Sequence, residues 1–124
     1  MPPAIVHILD DDESMRDALS SLLRSAGLES RSYGTVAELL SAQMGDVPGC
    51  LVLDIRLRGF SGLDVQDQLA RSDIRLPVIL MTGHGDIPMT VRGMKAGAID
   101  FLTKPFDFDR AFYAAMGVET VDLT

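Results

Sequence analysis

The 124-residue sequence has one cysteine and two histidines, too few for a disulfide framework or for a zinc site built from those residues. No apolar stretch approaches the roughly 18 residues that a membrane-spanning helix requires, and no basic, apolar leader resembles a signal peptide. Basic residues are also scarce, 11 against 18 acidic ones, which gives a net charge of -7. Because contacts with a phosphate backbone need a basic face, direct binding of DNA is not expected. The sequence therefore predicts a cytoplasmic protein that binds neither nucleic acid nor a membrane directly.

Size and composition indicate one globular domain over residues 1–124. Hydrophobic residues form 47% of the chain and charged residues 23%, which are ordinary values for a folded protein. A chain of this length can bury enough apolar surface to fold without disulfides or structural metals. The single cysteine, Cys50, lies in an apolar run, where we expect a buried, reduced thiol. Gly117 interrupts the last helical pattern, so we expect residues 117–124 to form an irregular tail.

Apolar runs near residues 5, 28, 50, 77 and 98 alternate with segments of helical periodicity, which is typical of an α/β fold. Five strands joined by right-handed crossovers favour a flavodoxin-like parallel sheet of order 2-1-3-4-5, with five helices on its two faces. The helices are predicted from about Met15 to a stop at Gly27, from Thr35 with Glu38 in a capping box, over about 63–71, from an Asp86 N-cap to Gly97, and from about Asp107. Their apolar stripes include Met15, Ala18, Leu19, Leu22, Leu23 and Ala26 in the first, Leu63, Val65, Leu69 and Ala70 in the third, and Ile87, Val91 and Met94 in the fourth.

Charged or hydroxyl side chains follow four of the predicted strands at their carboxyl ends, where an open parallel sheet binds its ligands. The strand order places strands one and three side by side at the switch point. Carboxylates held this close together need a cation or raised pKa values, and oxygen ligands suit Mg²⁺ better than zinc. Beside Mg²⁺, Asp54 is the best candidate for a nucleophile toward phosphorus. The side chains at these strand ends are Asp10 and Asp11 after strand one, Asp54 on strand three, Thr82 after strand four and Lys104 after strand five.

Four segments of the chain, in order, closely resemble the receiver domain of two-component response regulators, specifically the FixJ-like subgroup. They are residues 6–13 (VHILDDDE), residues 53–57 (LDIRL) leading to Ser61 and Gly62, residues 81–86 (MTGHGD) and residues 95–106 (KAGAIDFLTKPF). Any one segment is a weak signal, whereas four in order, each at a predicted strand end, are highly specific. The resemblance covers about residues 5 to 108.

The resemblance implies that a partner histidine kinase transfers a phosphoryl group to Asp54 in a Mg²⁺-dependent reaction. In such a site Asp11 would bind the metal directly and Asp10 would act largely through a bound water. Asp54 and the backbone carbonyl of Arg56 would complete the protein ligands. The domain would promote only its own phosphorylation and dephosphorylation, so it is not expected to be an enzyme.

The resemblance also implies a switch next to the phosphoryl group. Thr82 and Lys104 would each contact a phosphoryl oxygen, and a cis peptide between Lys104 and Pro105 would aim the amine inward. When Thr82 moves toward the phosphoryl group, Phe101 would rotate inward. That rotation would reshape the face formed by helix four, strand five and helix five, which would control binding of a partner or of a second copy of the chain.

The sequence departs from the family pattern at Arg58, where receivers commonly have proline, and the loop around it is expected to be more mobile. Fewer than 20 residues follow Phe106, too few for the helix-turn-helix output domain that FixJ-like regulators usually carry. Two other functions remain open. A Mg²⁺-dependent phosphatase could use the same nucleophile, although the sequence has no room for a substrate-covering cap. A binding domain could keep the fold without phosphorylation, which the intact set of acids disfavours.

Overall fold

The computed structural model describes residues 4–42, 47–57, 60–72, 74, 76–83 and 86–103. Over these residues the strands of the main sheet alternate with helices, as the sequence predicts. The predicted fifth helix from Asp107 and the predicted tail 117–124 lie outside the described residues. In chain order the elements are β1 (Ile5–Leu9), α1 (Glu13–Ser25), β2 (Glu29–Tyr33), α2 (Val36–Ser41), β3 (Gly49–Asp54), β4 (Arg56–Leu57), β5 (Phe60–Ser61), α3 (Gly62–Arg71), β6 (Val78–Thr82), α4 (Ile87–Lys95) and β7 (Asp100–Thr103).

Five of these strands form a parallel sheet in the order β2-β1-β3-β6-β7. This confirms the predicted order 2-1-3-4-5, because the fourth and fifth predicted strands are β6 and β7. The strands β4 and β5 form a separate, short antiparallel pair that precedes α3, and this pair was not predicted. The central strands β1, β3 and β6 are buried along almost their whole length. Their continuous apolar sequences reflect helices packed on both faces of the sheet.

The edge strand β2 differs from the others because its sequence is polar. Glu29 and Arg31 are exposed, and Tyr33 is its one fully buried residue. The apolar run expected near residue 28 therefore amounts to Leu28, which packs against the core just before the strand. An edge strand faces water along one side, so burial does not impose an apolar sequence on it.

Side chains of the sheet alternate between two faces, and each face has its own apolar core. On one face Val6, Ile8 and their neighbours pack against Leu19 and Leu23 of α1. On the other face Leu9, Leu51 and Leu53 pack against α2 and α3. The helices therefore cover both faces of the sheet, as predicted.

Helix α1 is capped as expected but buries a narrower stripe than its periodicity predicts. Asp12 is the N-cap, and its carboxylate accepts hydrogen bonds from the amides of Ser14 at 2.9 Å and Met15 at 3.4 Å. Gly27 follows the helix with a φ of 80°, which confirms the left-handed stop. Leu19 and Leu23 are fully buried and Met15 is half-buried, whereas the predicted core positions Ala18, Leu22 and Ala26 are exposed. A single sheet face covers only about one residue per turn of this helix.

Helices α2 and α3 also begin with side-chain caps. The Thr35 hydroxyl accepts a hydrogen bond from the Glu38 amide at 3.2 Å, but the Glu38 carboxylate accepts from Gly34 rather than from Thr35, so the predicted capping box forms only in half. At α3 the box is complete, between Ser61 and Asp64. Along α3 the predicted core residue Ala70 is exposed, and Gln66 is buried in the interior with Val65 and Leu69.

Candidate functional site

The structure brings together Asp10, Asp54 and Thr82 at one edge of the sheet. Leu9 of β1 pairs with Leu53 of β3, so Asp10 and Asp54 occupy the next position on neighbouring strands, whose backbones lie about 4.8 Å apart in such sheets. Asp54 in turn pairs with Met81 on β6, and Thr82 ends that strand. Asp54 is only 7% exposed, and Asp10 and Thr82 are buried as well. The structure therefore places these three residues at neighbouring strand ends, and the convergence of their side chains stays a prediction.

Backbone amides orient the two buried carboxylates. Asp54 Oδ1 accepts a hydrogen bond from the Arg56 amide at 3.0 Å, and Asp10 Oδ1 accepts one from the Asp12 amide at 2.9 Å. Arg16 of α1 donates from Nη1 to the Asp10 carbonyl at 2.7 Å, which ties the helix to the strand end. Both carboxylates thus bond to the chain two residues further on, a local arrangement that suits short acidic side chains. Asp11, the residue after Asp10, is half-buried.

The donor set at this edge fits a hard divalent cation. Over the residues that the structure describes, no group of three or more His, Cys, Asp or Glu side chains forms a metal-binding cluster. Mg²⁺ does not need such a cluster, because it usually keeps several waters and binds through one or two carboxylates together with phosphate oxygens. Asp10 and Asp54, placed on adjacent strand ends, can supply those two carboxylates. The roles of Asp11 and of the Arg56 carbonyl as ligands stay predictions.

Thr82 and Phe101 border an apolar cavity between α4 and β7. The Thr82 hydroxyl donates to the Leu102 carbonyl at 3.3 Å, so it is engaged with the neighbouring strand. Phe101 of β7 is 43% exposed. The cavity has a volume of about 440 Å³, and its lining includes Val91 and Met94 of α4. The two proposed switch residues therefore share one cavity with the helix that their movement is expected to reshape.

An ion pair between Arg56 and Asp86 connects the segment that follows Asp54 with the segment that follows Thr82. The sequence did not predict this contact. Arg56 Nε donates to Asp86 Oδ1 at 2.5 Å, across 30 positions of sequence. Asp86 is the N-cap residue of α4, as the sequence predicts, but its carboxylate makes no capping hydrogen bond to the helix. Instead Oδ2 accepts from the Gly83 amide at 2.9 Å, and the Asp86 carbonyl accepts from Thr90. The predicted stop at Gly97, with a φ of 111°, is confirmed.

Three other predictions fall on residues that the structure does not describe. They concern Arg58, between β4 and β5 in the sequence, the amine of Lys104, and the cis peptide between Lys104 and Pro105. All of them stay predictions.

Two titratable groups lie in the core, away from the strand ends. His7 Nδ1 is 3.0 Å from the hydroxyl of Tyr33, and the two rings stack with centroids 5.9 Å apart. Burial, together with the nearby positive charge of Arg31, lowers the pKa of His7 below its usual 6.5. Burial raises the pKa of the Cys50 thiol to about 12. His7 is buried on its strand, and the expectation that Cys50 is a buried free thiol is confirmed.

Comparisons with known proteins identify the family of this chain. The family described as the response regulator receiver domain matches residues 6–115. Nodulation protein W of Bradyrhizobium diazoefficiens is 59% identical over 103 residues, which cover 83% of this chain and 45% of that protein. The transcriptional regulatory protein FixJ of Azorhizobium caulinodans is 44% identical over 117 residues, covering 94% of this chain and 55% of that one. The chain thus spans about half the length of these curated relatives.

A solved structure described as FixJ-N is 38% identical and superposes with a TM-score of 0.80, covering 94% of this chain and 93% of that one. It supports the flavodoxin-like, parallel-sheet architecture. Among the helices that the structure describes, none is both long enough and apolar enough to span a membrane. The family match, the fold and the buried acids at the strand ends agree, and the chain belongs to the receiver domains of two-component response regulators.

Proposed function

We propose that this chain accepts a phosphoryl group on Asp54 from the phosphohistidine of a partner sensor kinase, in a reaction that requires Mg²⁺. One observation carries the proposal: Asp54 ends a central strand, is almost fully buried, and lies at the strand end next to Asp10, which directly follows the neighbouring strand. Burial of an ionised carboxylate costs free energy that a nearby cation would offset, so an acid at this buried strand end favours a functional role. Its position at the switch point favours a chemical role.

The transfer would be a displacement at phosphorus. A carboxylate oxygen of Asp54 attacks, the bond between phosphorus and the kinase histidine breaks, and its electron pair stays on the histidine nitrogen. The product is an acyl phosphate on Asp54. The hydrogen bond from the Arg56 amide fixes the rotation of the Asp54 carboxylate, which lowers the entropy lost in reaching the reactive geometry. Asp10, Asp11, Asp54 and the Arg56 carbonyl would hold Mg²⁺, which would supply charge neutralisation.

The signal would leave the site through Thr82 and Phe101. The Thr82 hydroxyl would exchange the Leu102 carbonyl for a phosphoryl oxygen, which is a stronger, charged acceptor. The space vacated toward α4 would admit the Phe101 ring, which is now partly exposed. Ile87 and Val91 are exposed on the same face, so the rearrangement would alter an apolar surface suited to a protein partner or to a second copy of the chain. The family also favours a cytoplasmic location, which stays a prediction.

The test is labelling by a small phosphodonor. Incubation with acetyl phosphate and Mg²⁺ should add one phosphoryl group, seen by intact mass, and chelation of Mg²⁺ should prevent the addition. Asp54→Asn should abolish the label. The matched control is Asp12→Asn. Asp12 is an exposed acid two residues after Asp10, and its carboxylate caps α1. Labelling of Asp54→Asn at the wild-type rate would refute the proposal.

A further inference from the structure

The Arg56–Asp86 ion pair connects the two loops on which the proposed chemistry depends. Arg56 comes two residues after Asp54, and Asp86 comes four residues after Thr82. The Asp86 carboxylate is shared, since Oδ1 accepts from Arg56 Nε at 2.5 Å and Oδ2 accepts from the Gly83 amide at 2.9 Å. The Asp86 carboxylate therefore holds two groups: the Arg56 side chain near Asp54, and the backbone of Gly83 next to Thr82.

The same residue also fixes the start of α4. The Asp86 carbonyl accepts from both the amide and the hydroxyl of Thr90, each at 2.8 Å. Asp86 is only 4% exposed. A shift of the buried Asp86 would move the Gly83 backbone and the first turn of α4 together, because all three are joined by hydrogen bonds.

Arg56, in contrast, is free to change partner. Its side chain is 65% exposed, so swinging the guanidinium group costs little desolvation. Its own amide already bonds to Asp54 Oδ1, which places the residue next to the carboxylate that would receive the phosphoryl group. A phosphoryl group carries nearly two negative charges and three acceptor oxygens, so it competes strongly for an arginine bound to a single carboxylate.

We propose that the Arg56–Asp86 pair is a positioning latch: it holds the Gly83 loop and α4 in the unphosphorylated arrangement, and the phosphoryl group on Asp54 opens it by drawing the Arg56 guanidinium away. This inference rests on the proposed phosphorylation of Asp54. It adds a second link from the acceptor to α4, separate from Thr82 and Phe101. Through this link, loss of the Arg56 bond releases the carboxylate that anchors the Gly83 amide.

The test is the affinity of the chain for beryllofluoride, a phosphoryl mimic, at saturating Mg²⁺, measured by titration calorimetry. Asp86→Asn removes the attraction that favours the closed latch, so it should tighten binding by about fivefold, at the low end of typical coupling because the arginine is solvent-exposed. In an Arg56→Ala background the latch is absent from both states, so adding Asp86→Asn should leave the affinity unchanged. The control is Arg71→Ala, which breaks the exposed Arg71–Asp67 pair on α3 and should have no effect.

A tightening by Asp86→Asn of the same size with and without Arg56 would overturn the latch, as would no tightening in the presence of Arg56. A second readout uses the wild-type chain alone, so it does not depend on a variant that folds. Addition of beryllofluoride should speed hydrogen exchange of the Gly83 amide, and slowed or unchanged exchange would overturn the inference. The proposed function fails separately if Asp54→Asn binds beryllofluoride as tightly as wild type.

Discussion

Substituting Gly62 with alanine should disturb the proposed acceptor without changing any functional side chain. Gly62 is the first residue of α3 and packs directly against the backbone of the strand end that carries Asp54. Its amide donates to the Ile55 carbonyl at 2.8 Å. A Cβ atom at this position would lie 2.6 Å from the Asp54 carbonyl oxygen and 2.9 Å from the Ile55 Cα. Neither atom belongs to a side chain that could rotate away.

The size of the effect follows from those distances. An ordinary contact begins near 3.4 Å, so the strand end and α3 would have to separate by about 0.8 Å. Overpacking of this kind costs up to about 3 kcal/mol, and the reduced entropy of the unfolded alanine chain returns up to about 1 kcal/mol. We therefore expect Gly62→Ala to lower the free energy of unfolding by about 2 kcal/mol. A displacement approaching 1 Å at a reacting group can slow its chemistry by about 100-fold, so labelling of Asp54 should slow by at least about tenfold.

Urea denaturation and the initial rate of labelling by acetyl phosphate measure the two effects. The control is Gly34→Ala, whose added Cβ would have terminal atoms of the Arg16 side chain as its nearest neighbours, the closest at 3.2 Å, rather than backbone. It should change stability by less than about 1 kcal/mol, and the labelling rate should stay close to that of wild type. If Gly62→Ala folds with wild-type stability and is labelled at the wild-type rate, the close packing of α3 on the acceptor strand is wrong.

Three further predictions concern the core and the first helix. Because burial lowers the pKa of His7 in the folded state, the unfolded chain binds more protons than the folded chain below about pH 6.5. The free energy of unfolding should therefore fall as the pH drops from about 6.5 toward the folded pKa. Urea titrations at several pH values measure this slope, and His7→Phe should flatten it. Cys50, with a pKa of about 12, should react with a thiol reagent at pH 8 only at the rate of unfolding, and fast labelling of the native chain would contradict its burial. Asp12→Ala removes the cap of α1 and should cost about 1 kcal/mol by thermal denaturation, whereas Asp12→Asn, which can still cap, should cost much less.

The central sheet could be predicted from the sequence because its strands are buried on both faces. Burial forces continuous apolar runs on β1, β3 and β6, and topology rules then fix their order. The same rules place Asp10 and Asp54 side by side at adjacent strand ends. The polar edge strand β2 carried no such pattern, since half of its surface meets water.

The contacts that escaped prediction are those made by side chains distant in sequence. Asp86 has the local sequence pattern of an N-cap, but its carboxylate accepts a hydrogen bond from Arg56, 30 residues earlier in the chain, instead of capping the helix. Gln66 lies outside the apolar stripe predicted for α3, yet its side chain is buried. Its amide donates a hydrogen bond to the Gly93 carbonyl of α4 at 3.2 Å. Periodicity measures which face of a helix is apolar, and it does not register a polar residue whose partner lies on another helix.

The most direct test of the central claim is to locate the phosphoryl group. After reaction with acetyl phosphate and Mg²⁺, reduction with borohydride converts an acyl phosphate into a stable alcohol that peptide mass spectrometry can place on a single residue. We predict that the alcohol is found at Asp54 and that the Asp54→Asn variant yields no such product. Conversion at another acid, with Asp54 intact in the labelled wild-type chain, would contradict the account.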